Sequence, residues 1–202
     1  MPKLLQTQLD LKRCPYCNVD TPTLRLRTNV ETIDFTSSNK RIWCFYSCDR
    51  CGGIVTAAAQ GWNQEVIELY PSGTDVDPSI PDRARTYLDQ AINSLSAPAG
   101  AVMLAASAVD AMLKAKNLKE GSLYARIDKA LSEHLITAEM ATWAHEVRLD
   151  ANDQRHADDE ISLPVTADAK RAVDFGLALA QFLFVLPTRV QRGIADAKMK
   201  PA

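Results

Sequence analysis

Cys14-Pro15-Tyr16-Cys17 and Cys48-Asp49-Arg50-Cys51 are two CxxC pairs with thirty residues between them. Two residues between cysteines let a tight turn aim both thiolates at one ion, and two such turns complete a tetrahedral S4 site that suits zinc. Each turn also needs a residue tolerant of positive φ just after its second cysteine, and Asn18 and Gly52 stand there. The spacing therefore predicts a structural Zn2+ site on Cys14, Cys17, Cys48 and Cys51. A redox CxxC would need only one pair, set in a βαβ context that this sequence lacks. Cys44 is the spare. It precedes Cys48 by four on a strand and so faces the same way, but it reads as a small buried side chain rather than a ligand.

A second constellation lies between Trp143 and His156. At about 100° per residue, His145, Arg148, Asn152 and His156 fall in one narrow helical stripe. Met140, Trp143, Ala144, Val147 and Ala151 form an apolar stripe beside it, so the polar row runs along the edge of a packed face. Such a row is either a solvated flank or a site. RNA cleavage needs a base for the 2′-hydroxyl proton, an acid for the leaving oxygen and a cation for the phosphate, and His156 with Arg148 can supply those parts. Asp110 interrupts an otherwise apolar helix and, if buried, needs a cation: either Arg148 or Lys114 at i+4. The candidate catalytic set is thus His156, Arg148, Asn152 and Asp110. Against catalysis, residues 145–160 carry six acidic side chains and two arginines, a field that repels phosphate.

These residues need two kinds of scaffold. Around the cysteines, strand-like runs occur at Thr23–Val30, Glu31–Phe35, Arg41–Tyr46, Gly53–Ala59 and Glu65–Tyr70, the layout of a zinc ribbon over residues 1–71. Arg25, Arg27, Lys40, Arg41 and Arg50, with Trp43, Phe45 and Tyr46, offer a basic and aromatic patch for RNA or DNA there. Eight basic and seven acidic residues in that region favour a plainer surface. Residues 72–80 concentrate turn formers and read as a linker. Residues 81–202 turn helical, with helices expected from Pro81 to Leu95, Pro98 to Lys116, Leu123 to His134, Thr137 to His156 and Ala167 to Leu186. Ser96, Thr137 and Thr166 are the expected caps, and the Pro98 helix, apolar around most of its circumference, is the expected centre. The last helix has apolar residues spread too widely for one buried stripe, which predicts a homodimer through the helical domain. Pro187 should kink or end it, leaving a basic, partly helical tail.

Composition excludes some classes. The chain has 202 residues, 47% hydrophobic and 24% charged, and its 23 basic against 25 acidic side chains give no global attraction to nucleic acid. Met1–Leu11 holds no apolar core of signal-peptide length, and Phe175–Leu186 falls short of the roughly 20 residues of a spanning helix. A cytoplasmic protein with no membrane partner is expected.

The paired-CxxC ribbon, the Pro-rich join, the alanine-rich helices and the row Arg148, Asn152, His156 together resemble the domain of unknown function 4145 family, from about Cys14 to Leu186. That family is similar to the HEPN helical bundles, many of which dimerise and act as metal-independent ribonucleases in toxin, phage-defence and RNA-processing systems. Others only bind or scaffold. HEPN nucleases place an arginine a few residues before the histidine; Ala151 holds the matching position before Asn152, and Arg148 lies further upstream. The resulting expectation is an α+β protein with an N-terminal zinc ribbon and an all-α HEPN-like bundle. It is expected to serve as a nucleic-acid-associated or protein-interaction scaffold, with a place in phage defence implied by the resemblance. The alternative is an endoribonuclease using His156 and Arg148 at a dimer cleft.

Overall fold

A computed structural model describes residues 3–71, 76–156 and 162–199, apart from the side chains of 155, 156 and 199. The chain divides into two compact units, Met1–Asp75 and Val76–Ala202.

In the first unit four antiparallel strands pair in chain order: β1 (Leu24–Thr32), β2 (Arg41–Cys48), β3 (Ile54–Ala59) and β4 (Glu68–Tyr70). Period-two alternation sends Ile42, Cys44, Tyr46 and Cys48 of β2 into a core with Leu5, Leu9, Leu24 and Val55. The buried Tyr46 hydroxyl donates to the Gln6 carbonyl at 2.7 Å, which meets its need for a partner. The expected separate strand at Glu31–Phe35 does not form. Instead β1 runs through to Thr32, and the Asp34 carboxylate then accepts the N–H groups of Ser38 and Asn39 at 2.9 and 3.1 Å. That local bond competes with strand pairing and turns the chain, leaving Phe35 fully exposed.

The second unit is helical: α1 (Asp82–Asn93), α2 (Pro98–Ala115), α3 (Leu123–Ser132), α4 (Ala138–His156), α5 (Thr166–Ala180), a π-turn at Gln181–Val185, and α6 (Leu186–Met199). As expected, α2 is central and touches α1, α3, α4 and α5. Its Ala101, Ala105 and Ala108 let neighbours approach closely, with Val102, Val109 and Met112 filling the space between. On α5 a Cβ at Gly176 would lie 2.7 Å from Leu88 Cδ2 of α1, so only glycine permits that approach. Two helical stretches, Pro98–Ala115 and Thr166–Lys198, are long and apolar enough to cross a membrane. In α2 that apolarity is accounted for by the core.

Thr137 caps α4, its Oγ1 accepting the Met140 N–H at 3.2 Å, and Ser122 caps α3 by accepting the Ala125 N–H. The other two expected caps are displaced. Ala97, not Ser96, precedes α2, with Pro98 in its first turn. Val165 precedes α5, and the Asp168 carboxylate accepts its N–H at 2.8 Å, so Thr166 is already helical. Ile80 is buried in the helical core and Val76 packs on it, so part of the expected linker belongs to this unit.

Pro187 does not end the last helix. Its ring would clash with the carbonyl one turn back in an α-helix, but here the preceding turn is widened to π spacing, with the Leu186 N–H reaching the Gln181 carbonyl. Pro187 then occupies the first turn of α6, where its missing N–H costs nothing, and helix continues to Met199.

Candidate functional site

The Sγ atoms of Cys14, Cys17, Cys48 and Cys51 all lie within 4.8 Å of one another. With a zinc–sulfur bond of about 2.3 Å, a tetrahedral S4 site has sulfur–sulfur edges of roughly 3.8 Å. The Cys14 and Cys51 sulfurs are 3.8 Å apart. Both turns have the backbone that the sequence requires: Asn18 and Gly52 sit at φ 55° and 72°, and their N–H groups return to the carbonyls of Cys14 and Cys48 at 2.9 and 2.8 Å. The Gly53 N–H points at Cys51 Sγ, 3.4 Å away.

The thiols are unequal. Burial pushes Cys14 up to about 12. Burial also opposes ionisation of Cys48, but the N–H groups of Cys51 and Arg50, with the thiols of Cys14 and Cys51, outweigh it and bring Cys48 down to about 7. Four thiolates this close repel one another unless a cation shares their charge, so the donor set fits a soft divalent ion such as zinc. Such an ion would tie the two turns together. Cys44 is fully buried in the sheet core and is not among the four.

The cations of this unit are mostly matched. Arg25 pairs with Asp49 and Lys40 with Glu31, each at 2.8 Å, Arg41 pairs with Glu68, and Arg27 donates to Ser47 Oγ at 2.5 Å. Of the five cations in the expected patch, only Arg50 has no such partner among the described residues. Tyr46 faces the core, which removes it from any surface role.

The helical unit is different. A groove of about 820 Å³ lies among α1, α2, α3 and α4, and Asp110, Arg148 and Asn152 all line it. Its charged lining is Arg83, Lys114, Arg126 and Arg148 against Asp110 alone, a surplus of three positive charges. Asp110 is engaged twice: Lys114 Nζ lies 2.5 Å from Oδ2, and Arg126 reaches Oδ1 through Nε at 2.8 Å and Nη2 at 2.5 Å. Arg126 also donates to the Gly121 carbonyl. Of the two cations weighed for Asp110, then, Lys114 pairs with it and Arg148 does not. Arg148 instead lies over the Tyr124 ring, its Cζ 5.3 Å from the centroid, and its buried Nε has no hydrogen-bond acceptor. Neither Arg83 nor Arg148 has a carboxylate partner among the described residues.

His145 packs against Tyr124 with the rings tilted by 38° and their centroids 4.7 Å apart, and its Nε2 is 3.0 Å from Asp128 Oδ1. It positions Tyr124 but does not line the groove. The α4 backbone includes His156, but its side chain, that of Arg155, and the acids Asp158, Asp159 and Glu160 lie outside the described residues.

Of the six acids expected around α4, the three that are described, Glu146, Asp150 and Asp153, do not line the groove. Asp150 lies about 200° around the helix from Arg148. Its carboxyl is raised, first by burial, and its charged neighbours are Arg171, Asp168, Glu146 and Asp153. The acids gather on the α5 side, while Arg148, Ala151 and Asn152 line the groove. Net charge counted along the chain merged two faces.

Sequence reading missed Arg126, Tyr124 and Arg83. Arg126 was detectable, since it lies three residues after Leu123 and one before the buried Ile127, inside the apolar stripe of a short helix. A cation there needs a buried partner.

A model of the family described as "Domain of unknown function (DUF4145)" matches residues 89–200. No curated protein and no solved structure matches the chain.

Proposed function

This chain belongs to the DUF4145 family, and on that premise we propose that it is a nucleic-acid-associated protein whose helical unit holds single-stranded RNA in the cation-rich groove. The observation that carries this reading is Arg148: a guanidinium with no carboxylate partner and a buried, unmatched Nε, in a groove with a surplus of positive charge. A phosphate oxygen is the acceptor that arrangement lacks. Arg83 supplies further charge along the groove, and Tyr124, half-exposed beneath Arg148, puts an aromatic edge beside it. In the first unit the four cysteines hold structural zinc and make it a zinc ribbon. The HEPN-like resemblance supports a role in phage defence, in the cytoplasm, where thiols stay reduced.

The test is fluorescence anisotropy with a labelled single-stranded RNA across a salt series. Arg148→Ala is expected to weaken binding about tenfold and to flatten the salt dependence by nearly one phosphate contact. RNA binding that Arg148→Ala leaves unchanged, or no binding at low salt, would overturn the reading. DNA of the same sequence separates RNA recognition from general single-strand binding.

The placement of Arg148 and Asn152 on the groove wall, about two turns and one turn before His156 respectively, favours a second reading as a metal-independent endoribonuclease. His156 would take the 2′-hydroxyl proton, the 2′-oxygen would attack phosphorus, the 5′-oxygen would leave with a proton, and Arg148 would hold the charged phosphate. Equal RNA cleavage by wild type and His156→Ala would end that reading without touching the binding proposal.

A further inference from the structure

α6 continues directly from the π-turn and makes few contacts with the other described helices. Asp77 is its charged neighbour, close to Arg189 and Arg192. Its apolar side chains remain in solvent, with Leu186, Val190 and Ile194 exposed by 45%, 52% and 51%. α6 is the outer 14 residues of a helix whose first part, α5, is packed in the core, so it is nucleated there and its own apolar face is left over. The chain thus keeps a helix with an apolar face and nothing described against that face.

We propose that α6 pairs antiparallel with α6 of a second copy of this chain. Leu186, Val190, Gly193 and Ala197 alternate four and three residues apart, the spacing of a two-helix seam. Turned end for end about a two-fold axis between residues 191 and 192, Leu186 meets Ala197 of the partner subunit and Val190 meets Gly193 of the partner subunit. Every layer sets a large side chain against a small one. A Cβ at Gly193 would find nothing within 4 Å, so the backbone there is bare and open to an incoming valine. A parallel pair would oppose Gly193 to itself and leave a hole.

Charge selects the same arrangement. At 100° per residue Arg189 and Asp196 share one edge of the seam. End-to-end reversal brings each Arg189 opposite the other copy's Asp196, and the two-fold axis makes the pair twice. Arg189, Arg192 and Lys198 outnumber Asp196 on α6, so an anionic membrane is the competing occupant that the test below separates. A seam about 21 Å long lies at the low end of stable interface sizes, so the dimer is reversible and concentration-dependent. This pairing stands whether or not RNA occupies the groove.

Sedimentation equilibrium of the full chain tests it. Wild type is expected to be a reversible dimer, and Val190→Glu, which brings two like charges into the seam, to raise Kd by about a hundredfold or more. Arg189→Asp and Asp196→Arg should each raise Kd by up to about tenfold, and the two combined should restore it to within about twofold. Because all three positions are exposed, circular dichroism should stay unchanged; if Val190→Glu does lose helix, the charge-swap set decides alone. A wild type that stays monomeric, a dimer indifferent to Val190→Glu, or a double swap that fails to restore pairing would each overturn the proposal. So would a monomer that floats with phosphatidylserine vesicles and loses that property in Val190→Glu, which would give the face to lipid instead.

Discussion

The two units treat their cations in opposite ways. On the sheet, Arg25, Arg27, Lys40 and Arg41 each find a carboxylate or hydroxyl within their own fold, while in the helical groove Arg83 and Arg148 find none among the described residues. The sheet unit instead concentrates unsatisfied donors inside, in four clustered thiols. One unit thus gathers a cluster whose donor set fits an ion, and the other leaves positive charge unpaired at a groove. Sequence counts do not reveal this contrast, because both regions contain arginines beside aromatics.

The largest test of the contrast is metal removal. Chelation, or Cys14→Ser, should unfold the first unit and leave the helical unit's far-ultraviolet signal in place, since a structural zinc contributes on the order of 10 kcal/mol to a small module. Metal analysis should find about one ion per chain; much less, or a sheet that survives chelation, breaks the comparison. Next in size is Asp110→Ala, which leaves the buried Arg126 without its carboxylate. It should cost the helical unit about 2–4 kcal/mol in denaturant melts, discounted from a fully buried pair because Asp110 is partly exposed. Removing Arg25 from its surface pair should cost the sheet unit under about 1 kcal/mol. A third, smaller effect is on RNA. Arg25→Ala should change affinity less than about twofold beside the tenfold of Arg148→Ala, and equal losses would move the nucleic-acid surface to the sheet.

The smallest effect is on acid stability. Asp34 on the sheet unit and Asp168 at the start of α5 are both held below the ordinary carboxylate value of 3.8, first by the N–H groups of Ser38 and Val165 respectively. A depressed carboxylate adds stability above 3.8, which drains away as pH falls through its folded value. Melting temperatures of Asp34→Asn and Asp168→Asn should therefore lie slightly below wild type at neutral pH and converge with it in acid. A gap that widens in acid would contradict the assignment.

What was legible in the sequence was local. The CxxC turns, with Asn18 and Gly52, follow from backbone geometry within a few residues, and the buried stripe Ala84, Leu88 and Ala91 from helical period. The four-cysteine cluster needed one further fact, that two such turns meet. The groove was less legible because its pairs are tertiary. Asp110 could be seen to need a cation, but Arg126 answers from 16 residues away on another helix. Glu146, Asp150 and Asp153 were real in composition but turn away from the groove, since charge summed along a chain ignores the turn of the helix. Helix past Pro187 was legible only in part, as a partly helical tail, because π spacing relieves the clash that a proline ordinarily makes and lets the helix run on to Met199.

That π-turn has a consequence for how one pattern serves two surfaces. The seven-residue rhythm that carries Ala172, Gly176, Leu179 and Leu183 continues without a break into Leu186, Val190, Gly193 and Ala197. Had the helix stayed regular, the second half would have extended the first half's line toward the same neighbours. The wide turn adds about one residue of rotation, roughly 100°, and swings the second half to a new bearing. The turn thus works as a phase shifter: ahead of it the repeat closes the protein's own interior, and beyond it the same repeat is displayed to the outside. Deleting a single residue within Gln181–Val185 would close the wide turn to α spacing and leave the second half on its new bearing.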